Sequence, residues 1–296
     1  MNKSYEVRCV MDANAALGES TYWDPHTQNL WWIDIIRNTI YCYNPETGLS
    51  QSFKTPENPG CLALRASGGL VLSMTSGFYF FDPATGLFKQ IIDPEADCDE
   101  TRFNDGKTDR QGRFWSGSMW DAPNQKPKLI GSLYRLNADL TCHRVIQGIG
   151  CSNGLAWSPD SKFMYHTDSM TSQVWIWEFD PATGAIANRR LFYDLSKEDA
   201  FGDGATVDVE GCYWLTIPYK GKVIRLDPDG VLMETINLPT DLPTCCEFGG
   251  EELDTLYVTS ASLNRSPEKL AGQKHVGGLF AIDVGVRGLA PTGFIG

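Results

Sequence analysis

Residues 152–168 read S-N-G-L-A-W-S-P-D-S-K-F-M-Y-H-T-D. Leu155 and Trp157 alternate with smaller neighbours, the period-two pattern of a half-buried strand. Ser158-Pro159-Asp160-Ser161 is turn chemistry, because proline presets φ and aspartate bonds its own backbone. Apolar and aromatic residues resume at Phe163 and predict a second strand ending at Asp168. A polar pair, Asn153-Gly154, stands at the entrance of the first. The same alternation returns at N-D-G-K-T-D-R-Q-G-R-F-W (104–115), at G-D-G-A-T-V-D-V-E-G-C-Y-W (202–214), and at G-E-S-T-Y-W-D-P followed by L-W-W-I-D (18–34). Weaker copies occupy 61–72 and 245–259. Segments with helical apolar periodicity are nearly absent, so the pattern predicts an all-β chain.

After four of the copies a further strand ends in a turn: N-P-E-T-G (44–48), D-P-A-T-G (82–86 and 180–184) or D-P-D-G (227–230). A repeat of roughly 40–50 residues built this way is the signature of a four-stranded propeller blade. Six units are expected, at about 16–48, 59–90, 102–146, 150–194, 202–238 and 243–283. An N-terminal strand over 5–11 is expected to complete the last blade against 278–283, because closing the ring removes its exposed edges. A Pro- and Lys-bearing insertion (121–129) interrupts the third unit. A loop over 264–276, with a short helix around 267–270, interrupts the sixth. No linker or shift of composition divides the chain, so residues 1–296 are expected to form a single six-bladed β-propeller domain.

Composition narrows the function. The net charge of −12 argues against nucleic acid and against an anionic membrane surface as partners. The nine cysteines are odd in number and lack C-x-x-C spacing, which fits free thiols in a reducing cytoplasm better than a disulfide framework. The N-terminus has no apolar run of the signal-peptide kind, and no stretch is apolar enough for a helical membrane span. Gly106-Lys107-Thr108 resembles the end of a phosphate loop, but Thr101 stands where that motif needs glycine and strand residues follow it. There is no H-E-x-x-H. The four histidines fall in different units; His166, beside Asp168, is the one candidate for the central pocket.

What remains is a set of polar residues at one phase of the repeat. Glu19, Asn104, Asn153 and Asp203 each stand at or just before an inner strand. In a radial array such positions face the central channel at one end. Two carboxylates and two carboxamides converging there are costly to bury unless a cation or other partner satisfies them. Oxygen-only donors suit a hard divalent ion such as Ca²⁺, Mg²⁺ or Mn²⁺, and the same donors can take Zn²⁺ or Fe²⁺.

With these residues in view, the chain resembles the senescence marker protein (regucalcin)/gluconolactonase family from about residue 17 to 283. The matching marks are L-G-E (17–19), R-F-N-D-G-K (102–107), S-N-G-L-A-W (152–157) and G-D-G (202–204), in the family's order and with similar spacing. The resemblance implies a six-bladed propeller, one divalent metal ion and hydrolysis of sugar lactones. It implies Glu19, Asn153 and Asp203 as metal ligands, with Asp203 also the catalytic base, and Arg102 and Asn104 as substrate contacts. Asp121 is the nearest counterpart of a further acidic substrate position; Trp120, in Ser118-Met119-Trp120-Asp121, departs from the family pattern. The expected substrate is an aldonolactone: gluconolactone, xylonolactone, arabinonolactone or a 6-substituted acidic derivative. Other hydrolases on this scaffold, and a non-catalytic metal-binding propeller, stay open at this stage.

Overall fold

The computed structural model describes residues 5–263 and 265–296; Asn264, where the expected 264–276 loop begins, lies outside them. Six four-stranded antiparallel sheets follow one another along the chain. Their inner strands are Gly18–Asp24, Pro59–Leu64, Thr101–Thr108, Ser152–Trp157, Ala205–Val207 and Pro243–Gly249. Each inner strand packs beside the next, and the sixth returns to the first, so the sheets stand as blades of a closed propeller. The last sheet takes Val7–Met11 as its outermost strand, paired with Leu279–Asp283, and this joins the two ends of the chain as expected.

The elements follow from the sequence pattern. Inner and second strands are mostly buried, while outer strands such as Ser50–Lys54 and Leu87–Ile92 largely face water. The first blade therefore extends beyond 16–48 to Lys54. Its outer strand, S-Q-S-F-K, has one large apolar residue and so little hydrophobic signal. Aspartates hold two of the inner hairpins. Asp109 accepts from the amides of Gln111 and Arg113 and the indole of Trp115, and Asp208 repeats this with Glu210, Cys212 and Trp214. A single helical turn, Pro267–Leu270, lies in the sixth-blade loop, capped by Ser266. Cys42, Cys61, Cys212, Cys245 and Cys246 are buried, and all nine cysteines are free thiols. No helix among the described residues is long and apolar enough to cross a membrane.

Two features position the site. First, the inner-strand ladders of five blades slip at the same place: between Glu19 and Tyr22, Pro59 and Cys61, Phe103 and Gly106, Asn153 and Ala156, and Pro243 and Cys246. A bulge of this kind bends the strand and re-aims its side chains. Second, the tail after Asp283 covers the opposite end of the channel. Leu289–Thr292 and the residues Lys107, Thr206 and Glu247 enclose a cavity of about 40 Å³ there. The other end of the channel is the candidate mouth for a ligand.

Candidate active site

At the open mouth the bulges bring the polar residues together. Arg102 donates from Nη1 to Asn104 Oδ1 at 3.0 Å, and Asn104 donates from Nδ2 to Asn153 Oδ1 at 3.0 Å. Asn153 donates in turn to Ser169 Oγ at 2.7 Å, and Ser169 donates to the carbonyl of Gly202, the residue before Asp203, at 2.6 Å. One chain of hydrogen bonds thus joins blades three, four and five. It turns the Asn153 oxygen toward the channel with one lone pair unused. The backbone needs glycine at two of these points. Gly154 has φ of 60° and a Cβ there would meet Thr167 Oγ1 and Tyr213 Oη at 2.5 Å; one on Gly204 would meet Cys245 Sγ at 2.6 Å.

Glu19 is buried and accepts only from the Ser20 amide, at 3.4 Å; among the described residues no donor meets the Asp203 carboxylate. Burial, then repulsion from Asp203 and Asp105, raises the Glu19 carboxyl well above its ordinary range, with Arg102 opposing. Burial and Asp105 do the same to Asp203, again against Arg102. Asp105 itself is pushed up to about 6 by burial, although Lys107 and nearby amides favour its charged form. Three carboxylates therefore share a low-dielectric space in which Arg102 only partly offsets them. Such a group binds a cation or stays largely protonated. Both exposed-side demands of a hard divalent ion are met: oxygen donors, and lone pairs not already committed.

Arg102 also faces Asp121, with Nε and Oδ2 3.6 Å apart, so Asp121 lies at the rim of the same mouth and is half exposed. Glu19, Asn104, Asn153, Asp203, Arg102 and Asp121 are thus gathered at one end of the channel. His166 is not among them. Its Nε2 meets Ser152 Oγ at 3.0 Å on the side of blade four that faces Gly117 of blade three, and burial lowers its pKa to about 4, so it is neutral. His26, His143 and His275 are exposed. Asp105 and Ser169 were not singled out from the sequence as site residues, and Lys107 entered there only through the rejected phosphate-loop match and the R-F-N-D-G-K mark. Asp105 reads as the second residue of an Asn-Asp-Gly turn, and only the bulge shows that it looks inward. Below it Lys107 pairs with Glu247 at 2.7 Å, tying blade three to blade six across the channel.

Fold and site together define a six-bladed propeller with an anionic, oxygen-lined mouth. The chain belongs to the SMP-30/gluconolactonase/LRE-like family, whose model matches residues 17–262. It is 35% identical over 291 residues to a 6-deoxy-6-sulfogluconolactonase of Pseudomonas putida, spanning 98% of this chain and 99% of that protein. It is also 35% identical over 297 residues to the regucalcin of Oryctolagus cuniculus, spanning 99% of both. The same fold occurs in a calcium-binding regucalcin of Agrobacterium tumefaciens, with a TM-score of 0.93 at 24% identity over 98% of each chain.

Proposed function

We propose that residues 1–296 act as one domain that hydrolyses the ring ester of a sugar lactone with the help of one divalent cation. The observation that carries this is the gathering of Glu19, Asn153 and Asp203, whose oxygens keep unused lone pairs, beside the Arg102–Asn104 pair. The relatives named as a sulfogluconolactonase and a regucalcin support the same reading.

Glu19, Asn153 and Asp203 hold the ion, which when bound supplies Lewis acidity toward a carbonyl oxygen. Arg102, Asn104 and Asp121 hold the substrate. The Arg102 guanidinium donates to sugar oxygens or to an anionic substituent, and Asp121, half exposed at the rim, accepts from a hydroxyl. Asp203 takes the proton of the attacking water on one carboxylate oxygen. The carbonyl carbon gains the water oxygen, the ring C–O bond breaks, and the proton passes to the departing ring oxygen. The product is an open-chain sugar acid that releases a proton near neutral pH.

That released proton is the assay. In weakly buffered solution the protein should speed acid release from gluconolactone, xylonolactone, arabinonolactone or a gluconolactone with an anionic 6-substituent, over the spontaneous rate. Acceleration confined to organophosphates or homoserine lactones, or of nothing in the panel, overturns the reading. A second result separates the roles. Losing a charged hydrogen bond to substrate costs about 1.5–3 kcal/mol, so Arg102→Ala should lower kcat/KM roughly ten- to a hundredfold. Metal analysis of that variant should still find one ion per chain; loss of the ion would mean that Arg102 serves the cation site instead.

A further inference from the structure

Asp34 and Asp168 end the second strands of blades one and four, Asn29–Asp34 and Phe163–Asp168. Both are buried, and both grip the chain just before an inner strand. Asp34 accepts from Ala16 N at 2.9 Å and Leu17 N at 3.2 Å, three and two residues before Glu19. Asp168 accepts from Gly150 N and Cys151 N, each at 3.0 Å, three and two residues before Asn153. Each also takes an amide from its own turn, Arg37 N at 3.1 Å and Met170 N at 3.1 Å. The two clamps are the same device at the same offset.

A device needed only to hold blades together would recur in every blade. It does not: the matching rung carries Met74 opposite Pro59, Trp120 opposite Thr101 and Ser260 opposite Pro243. The carboxylate occurs where the inner strand brings Glu19 or Asn153 to the mouth, on opposite walls of the ring. The third position is tied to the same clamp, because Ser169, the residue after Asp168, bonds both Asn153 and the Gly202 carbonyl. We infer that Asp34 and Asp168 are positioning residues that fix the two ligand-bearing entrances, and so set how tightly the mouth holds its cation. This rests on the cation reading proposed above. Both carboxylates are taken up by backbone amides rather than turned to the mouth, and Asp34 also faces Arg37, with Nε and Oδ2 3.7 Å apart. Groups of this kind, once removed, typically cost ten- to a hundredfold in metal affinity.

The test is calorimetric titration of chelator-stripped protein with Ca²⁺ and, separately, Mn²⁺, alongside thermal melting. Asp34→Asn and Asp168→Asn should bind each ion roughly ten- to a hundredfold more weakly than the wild type. Asp168→Ser, which places the sixth blade's residue on this rung, should do the same and serves if the asparagine variant folds poorly. Asp208→Asn is the control, since Asp208 also cradles amides, of Glu210 and Cys212, but on the inner hairpin of blade five away from the mouth. It should lower the melting temperature and leave ion affinity unchanged. Wild-type affinity in folded Asp34 and Asp168 variants overturns the inference and leaves the cation reading intact. A stripped wild type that binds neither ion overturns the cation reading, and the inference with it.

Discussion

Asp203→Asn should retain a bound divalent ion, at weaker affinity, while its kcat falls by roughly 10²–10⁴, the usual worth of a positioned general base. The substitution keeps the shape and one ligand oxygen but removes the group that can accept a proton. The two roles given to Asp203 pull against each other, because a cation beside a carboxylate favours its charged form and weakens it as a base. Its surroundings act in the opposite direction. Burial and the Asp105 carboxylate raise the Asp203 pKa, with Arg102 opposing, so the residue keeps basicity that an exposed ligand would lose. The sign of the pH dependence follows. The base form is the ionised one, so wild-type kcat should fall as the solution is acidified and Asp203 takes up a proton, and Asp203→Asn should lose that acid limb. The measurement is kcat against pH for both proteins under saturating ion. A variant with full ion occupancy and near-wild-type kcat would confine Asp203 to holding the ion.

The six blades were legible because each inner hairpin carries its own turn chemistry and aromatic alternation, and because turns such as D-P-A-T-G punctuate the third strands. The polar residues at the mouth were legible for a related reason. Glu19, Asn104, Asn153 and Asp203 recur at one phase of a repeat, and a closed ring brings equal phases to one place. What the repeat does not encode stayed hidden. Asp105 sits beside Asn104 in a run that reads as a turn, and faces inward only because the ladder slips between Phe103 and Gly106. Asp34 and Asp168 bond amides across the hairpin, near residues paired as Gly18 with Asp34 and Ser152 with Asp168. Those contacts depend on register, which local pattern does not set. The tail that covers the far end of the channel has no periodicity at all. Its place depends on long-range contacts such as Phe294 beside Arg65 and Thr108 bonding the Thr292 carbonyl. The first outer strand was missed because a solvated edge needs few apolar residues.

Removal of the ion should have the largest effect of all, because without it Glu19 and Asp203 are left with Arg102 as their cationic offset, beside an Asp105 that faces Lys107, and Glu19 and Asp203 favour their neutral forms. A neutral Asp203 cannot take a proton, and the carbonyl loses its Lewis acid. The ion also binds the folded chain alone, so at about a hundredfold over its dissociation constant it should add roughly 2.7 kcal/mol of stability. The direct measurement is lactone turnover by protein stripped with chelator and shown ion-free by elemental analysis, then titrated in turn with Ca²⁺, Mg²⁺, Mn²⁺, Zn²⁺ and Fe²⁺. Turnover should be abolished on stripping and return with one equivalent of at least one of these ions per chain, with the melting temperature rising in step. Full turnover by the ion-free protein would contradict the assignment of Glu19, Asn153 and Asp203.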